Sequence, residues 1–177
     1  MSFSQLIDYD QFSSDLSNEA LIKQFNGYRR SINMDTLVYS EELFQTISKP
    51  NCIEVANSGG FYHPNISYLW SHSDIKPRIA IESMNKIGGI PRFNGDGSFW
   101  MDTHENAFRT TKRFTTYEEL ADFAIYSWSI STTGHREVQM MPFMTMGLPG
   151  MFSCHSELNP QNGYTYIFIN FVMIRRI

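Results

Sequence analysis

Helical patterns come first in this chain and strand patterns gather late, and that order limits the folds open to it. The clearest helix follows Thr115-Thr116-Tyr117-Glu118, which reads as a capping box: a hydroxyl accepts from the third residue's N–H and the Glu reaches back. Tyr117, Leu120, Ala121, Ala124, Ile125 and Trp128 then recur on one helical face. Upstream, Ser17 is placed to cap a helix through about Tyr28, with Leu21, Ile22, Phe25 and Tyr28 as its apolar face. Ser40 is placed to cap a second helix, with Glu41 and Glu42 favoured in its first turn by the helix dipole. Pro50 should end or kink that helix, and Cys52 to Ala56 can add a further turn. Residues 61–76 read as a loop, 77–86 as a short helix and 94–97 as a turn. Pro142, Gly147, Pro149 and Gly150 punctuate a Met-rich stretch suited to short strands, and Asn162-Gly163 marks a turn. Tyr164 to Ile174, rich in aromatic and β-branched residues, reads as a strand. Helices followed by strands predict a mixed domain with helices packed on an antiparallel sheet.

At 177 residues the chain suits one domain, 1–177. A composition 42% hydrophobic and 15% aromatic excludes intrinsic disorder. The formal charge is −4 and no basic run exceeds two residues, which argues against a dedicated nucleic-acid binder. No apolar run reaches the roughly 18 residues of a membrane helix, so no transmembrane segment is expected. Only Cys52 and Cys154 are present, enough for one disulfide and too few for a disulfide framework or a four-cysteine zinc site. Charged residues make up 18%, below the usual quarter, which suggests a surface partly covered by ligand or partners.

Four short segments, taken in order, resemble a known family. Leu21-Ile22-Lys23-Gln24-Phe25-Asn26-Gly27-Tyr28-Arg29 is similar to LLxxINxYR, and Leu37-Val38-Tyr39-Ser40-Glu41-Glu42-Leu43 to LxWxxEL. Gly59-Gly60-Phe61-Tyr62-His63 is similar to GxFSH, and Glu105-Asn106-Ala107 to GEN(I/L). A fifth, Trp128 through Gly134-His135-Arg136, looks like WxxSPGHR. Together they resemble the CAP superfamily: cysteine-rich secretory proteins, antigen 5 and plant pathogenesis-related proteins, also called SCP-like. The resemblance runs over about residues 17–174. The chain departs from the pattern at His104 in place of the glycine before Glu105, at Thr133 in place of proline, and at Ser131 in place of a second acidic cavity residue.

The resemblance implies an α+β fold, a three-layer α–β–α sandwich around a small antiparallel sheet. It implies a cleft lined by His63, Glu105, Ser131 and His135, with His72 as an alternative first histidine. Two imidazoles and a carboxylate suit zinc or another divalent cation, so His63 and His135 are the candidate metal ligands. The expected function is a binding module engaging a small ligand, a lipid or a protein partner. A metal-assisted hydrolase using the same cleft is one alternative, and a structural subunit of a large assembly, such as a phage particle, is another. The family points outside the cell, whereas MSFSQLIDYD carries no signal-peptide pattern, so localisation stays open.

Four other features bear on function. Cys52, after Pro50-Asn51, could head a helix whose dipole activates the thiol as a nucleophile. His72-Ser73-Asp74 has facial-triad spacing but reads as loop, and Asn94-Gly95-Asp96-Gly97 is too short for a calcium loop. Met140, Met141, Met144, Met146 and Met151 suit core packing or an adaptable lipid- or protein-binding surface.

Overall fold

The computed structural model describes residues 5–58, 91–93, 99–101, 103–140, 142, 149–161 and 163–174. The expected loop over 61–76, the helix over 77–86 and the turn over 94–97 lie outside the described residues, with His63 and His72.

Helix α1 spans Ser14–Ser31. Its cap is Ser13, whose Oγ accepts from the Leu16 N–H at 3.2 Å. Ser17, the expected cap, lies inside the first turn, buried, and its Oγ donates to Ser156 Oγ at 2.9 Å. The two serines are chemically equivalent; the extended backbone at Ser13 decides which one caps.

Strand β1 is the short Val38–Tyr39. Ser40 caps α2, Glu41–Leu43, as its position suggested, accepting from the Leu43 N–H. The chain then widens into a π-helical turn, Phe44–Ser48, and continues as α3, Lys49–Ser58. Pro50 therefore does not end the helical path. It is the second residue of α3, directly after the π-helical widening, where a helical path accommodates a missing N–H.

Strands β2 (Pro91–Phe93) and β3 (Phe99–Met101) form a separate antiparallel pair. Strand β4 is Thr103–Thr110 and helix α4 is Tyr117–Ser129. The α4 capping box falls one residue later than the sequence suggested: Thr116 Oγ1 accepts from the Glu119 N–H, and the Glu119 carboxylate accepts from the Thr115 N–H at 2.8 Å. Helix α5 is His135–Gln139, and strands β5 (Met151–Gln161) and β6 (Tyr164–Ile174) complete the chain. Gly163 begins the return between β5 and β6 with φ +80°, a conformation that any Cβ would strain.

The main sheet runs β1-β5-β6-β4. It is mixed, because β1 pairs parallel with β5 while β5–β6 and β6–β4 are antiparallel. The expected all-antiparallel sheet is corrected at that one edge. A two-residue strand that enters from α1 before the long connection to β5 has no local turn to dictate its direction.

The pleat separates two buried faces. On one, Phe152, Cys154, Ile169, Phe171 and Met173 pack with Leu21 and Phe25 of α1 and with Leu120, Ala121, Ala124 and Trp128 of α4. On the other, Phe168 packs against Cys52, Val55 and Ala56 of α3, and Ser153 Oγ bonds Ser48 Oγ at 2.9 Å. The result is α+β, with helices on both sides of the sheet. Among the described residues no helix is long and apolar enough to cross a membrane.

Two side chains of α1 anchor the chain that follows it. Asn26 clamps the Leu37 backbone through both amide atoms, at 3.0 and 2.9 Å. Arg29, 0% exposed, donates to the Asp35 carbonyl at 2.6 Å, to Asp35 Oδ1 at 3.1 Å and to the Gln139 carbonyl at 2.8 Å. Burial lowers the Arg29 guanidinium's pKa, and Asp35 opposes that shift.

Phe171 is wholly buried, with ring centroids of Phe25, Phe152 and Trp128 4.3, 5.2 and 5.9 Å away. Phe171→Ala should cost about 3–5 kcal/mol in urea denaturation. A loss under about 1 kcal/mol would show that this aromatic cluster is not the centre of the core.

Candidate functional site

Glu105, Ser131 and His135 reach the β4 end of the sheet by separate routes. Strand alternation turns Glu105 and its neighbour Asn106 to opposite faces. Glu105 is buried on the α3 face and accepts from the Asn170 amide of β6. Asn106 is buried on the α4 face and donates to the His135 carbonyl at 3.2 Å. A second link closes the same edge: the Trp128 indole N–H donates to the Ala107 carbonyl at 2.9 Å. The Trp128 indole thus takes up one backbone carbonyl of β4, while Asn106 ties β4 to the start of α5.

His135 is the first residue of α5, and Gly134 before it has φ +98°. That left-handed backbone explains the glycine in Gly-His-Arg. The imidazole is held by hydroxyls: Ser131 Oγ lies 3.1 Å and Thr133 Oγ1 3.5 Å from Nδ1. Ser131 Oγ also meets Thr133 Oγ1 at 3.0 Å and accepts from the Thr133 N–H at 3.2 Å. Ser131, read as a lost acidic residue, is therefore part of the support for His135. A hydroxyl accepting from Nδ1–H would place the ring's lone pair on Nε2.

Among the described residues no three His, Cys, Asp or Glu side chains form a group able to hold a metal ion. The other expected ligand, His63, and its alternative His72 lie outside the described residues.

The cysteine readings are resolved. Cys52 and Cys154 are both free and buried, on opposite faces of the sheet. Cys52 donates to the Phe168 carbonyl at 3.6 Å and Cys154 to the Asn18 carbonyl at 3.8 Å. Burial pushes both thiols well above the usual range. Cys52 lies within α3, 1% exposed, so it lacks the accessible, electropositive setting of a nucleophile. Of the methionine stretch, Met140 is 41% exposed and Met151 opens β5, while Met141, Met144 and Met146 lie outside the described residues.

A second concave feature was not anticipated. Beyond β1 the edge of β5, unpaired among the described strands, faces a groove of about 670 Å³ between α1 and the π-helical turn. His155 and Glu157 line it, joined by an Nε2···Oε1 contact of 2.6 Å. The available signal was the His-x-Glu spacing, which places both on one face of a strand once β5 is known.

No family model matches the sequence, and no curated protein is similar to it in sequence. Solved structures do resemble the fold. One is an outer surface protein from Borrelia burgdorferi, 12% identical with a TM-score of 0.54, covering 99% of this chain and 100% of that one. Another is an extracellular protein containing an SCP domain from Bacillus anthracis str. Ames, 13% identical with a TM-score of 0.51. That match covers 92% of this chain and 41% of the other, so this chain spans about two-fifths of that protein's length.

The thiol environments make a direct prediction. Neither cysteine should react with a thiol reagent in the native protein at neutral pH, and both should react after denaturation. Fast labelling of native Cys52 would mean that α3 does not cover it. The architecture that buries both thiols is α+β, with a fold similar to that of an SCP-domain protein.

Proposed function

We propose that the chain is a binding module whose surface at the β4 edge, around Ser131 and His135, holds a divalent cation such as zinc; Glu105, buried on the other face of the sheet, stands outside that set. The ion, or the surface around it, would engage a small ligand, a lipid or a protein partner. The likeness to an SCP-domain protein supports the module, and one observation carries the metal reading. The His135 ring is oriented through Nδ1 by Ser131 and Thr133. Metal-binding imidazoles characteristically have their second nitrogen fixed in this way. The donor chemistry fits: imidazole nitrogen is a borderline ligand suited to zinc. His63, or His72 in its place, would complete the set. A bound ion would supply a positive centre for an anionic or carbonyl group of a ligand.

Metal analysis of the full-length chain tests this. The expected result is about one zinc per chain, lost in His135→Ala and in whichever of His63→Ala or His72→Ala removes the second ligand. Ser131→Ala should keep the site but weaken it by roughly 10–100-fold. Absence of tight zinc binding, or a His135→Ala protein that binds as the parent does, would sink the reading.

A further inference from the structure

The groove beside β5 lies at the opposite end of the described sheet from the β4 edge, and it has its own chemistry. Its walls carry Asp15 and Glu19 from α1, Glu41 from α2 and Glu157 from β5, against a single lysine, Lys49. Acidic residues alone would describe a solvated surface. Two further side chains set this groove apart.

His155 and Asn18 both line it, 4% and 6% exposed. His155 gives its Nε2 to Glu157, a contact that requires a proton on that nitrogen. In the neutral ring Nδ1 is then an acceptor, and it has no partner. Asn18 Oδ1 is a second buried acceptor without a donor. Buried acceptors of this kind are rarely left unmatched. Tyr39 and Gln45 already donate to Glu41, so what the groove lacks is a donor at these two buried atoms.

The aromatic lining narrows the ligand further. Tyr39 and Phe44 flank the groove, and the Lys49 ammonium already sits 5.7 Å from the Phe44 ring centroid. An alkylammonium on an aromatic face is thus part of this surface. Burial, and after it the neighbouring Glu41 carboxylate, holds the Tyr39 phenol above its usual range. The carboxylates do not group into a metal cage. They are spread through a volume of about 670 Å³, which lies within the roughly 300–1,000 Å³ of small-molecule sites.

We propose that this groove binds a small organic polyamine, its ammonium groups on the spaced carboxylates and its alkyl chain along Tyr39 and Phe44. The donor-rich ammoniums supply what His155 and Asn18 lack. An extended ligand with several cationic centres matches dispersed carboxylates better than one metal ion does.

Calorimetric titration of the full-length chain with spermidine tests this, beside 1,8-octanediol as an uncharged chain and calcium as a bare cation. Spermidine should bind and the diol should not. Glu19 and Glu41 are both exposed, so Glu19→Gln/Glu41→Gln should fold normally. That variant should lose at least about tenfold in spermidine affinity. Asp122→Asn, at an exposed position on α4 outside the groove, should leave affinity unchanged. Four results would each overturn the proposal: no spermidine binding, equal binding by the diol, calcium binding without spermidine binding, or equal losses in Asp122→Asn and the double variant. A His135→Ala protein should bind spermidine normally, so this result stands or falls apart from the zinc result.

Discussion

The pairing of β5 with β6 is the constraint on which the rest of the molecule depends. Both strands span eleven residues, and β6 is paired on both sides, with β5 and with β4. Its odd residues, Ile167, Ile169, Phe171 and Met173, face α1 and α4, whereas Phe168 packs against α3. A slip of one residue would turn every side chain to the other face. Asn170 would then enter the aromatic cluster of Phe25, Phe152 and Trp128, and Phe171 would leave it. Each large apolar side chain so displaced forfeits about 1.5–3 kcal/mol of burial. Gly163, with its positive φ, and two separately packed faces make the observed register the one that satisfies all of them.

Buried polar side chains do the joining that local structure cannot. Asn26 and Arg29 belong to the first segment that resembled a family motif, and both act on backbone rather than on ligand. Asn26 positions the chain entering β1, and Arg29 ties the turn after α1 to the end of α5. Removing a buried guanidinium would leave the carbonyls of Asp35 and Gln139 without their donor, a cost greater than that of a surface charge. Resemblance in this segment therefore reports architecture.

Periodicity made the helices legible and left the sheet half-read. The stripes of α1 and α4 follow from apolar spacing alone. Their caps were displaced because Ser13 and Ser17, or Thr115 and Thr116, offer the same hydroxyl, and tertiary contacts choose between them. Strand β6 stood out through its aromatic and β-branched residues, whereas β5 did not. Ser153, His155 and Ser156 are buried polar residues in the middle of β5, and they erase the alternation that marks a half-buried strand. The parallel pairing of β1 rests on two residues and has no local signature. Of the cleft, Glu105 and His135 were legible as motif positions. Their partners Asn170 and Asn106 were not, since they meet across strands or between strand and helix. Ser131 was legible as a cleft position and as a departure from an acidic residue, but its support of His135 was not, because that role depends on the turn that brings its hydroxyl to the imidazole.

The π-helical turn at Phe44–Ser48 has a consequence for how the two faces of this segment are phased. An α-helix rotates by about 100° per residue, so one extra residue in a turn resets the direction of everything beyond it. Phe44, before the reset, lies edge-on to His155 with ring centroids 5.5 Å apart. Cys52, Val55 and Ala56, after it, face Phe168 in the core. Deleting a single residue here would leave helix on both sides yet turn one side out of register with the sheet. The widened turn thus acts as a gear tooth, letting one continuous helical path serve a groove at its start and a core at its end.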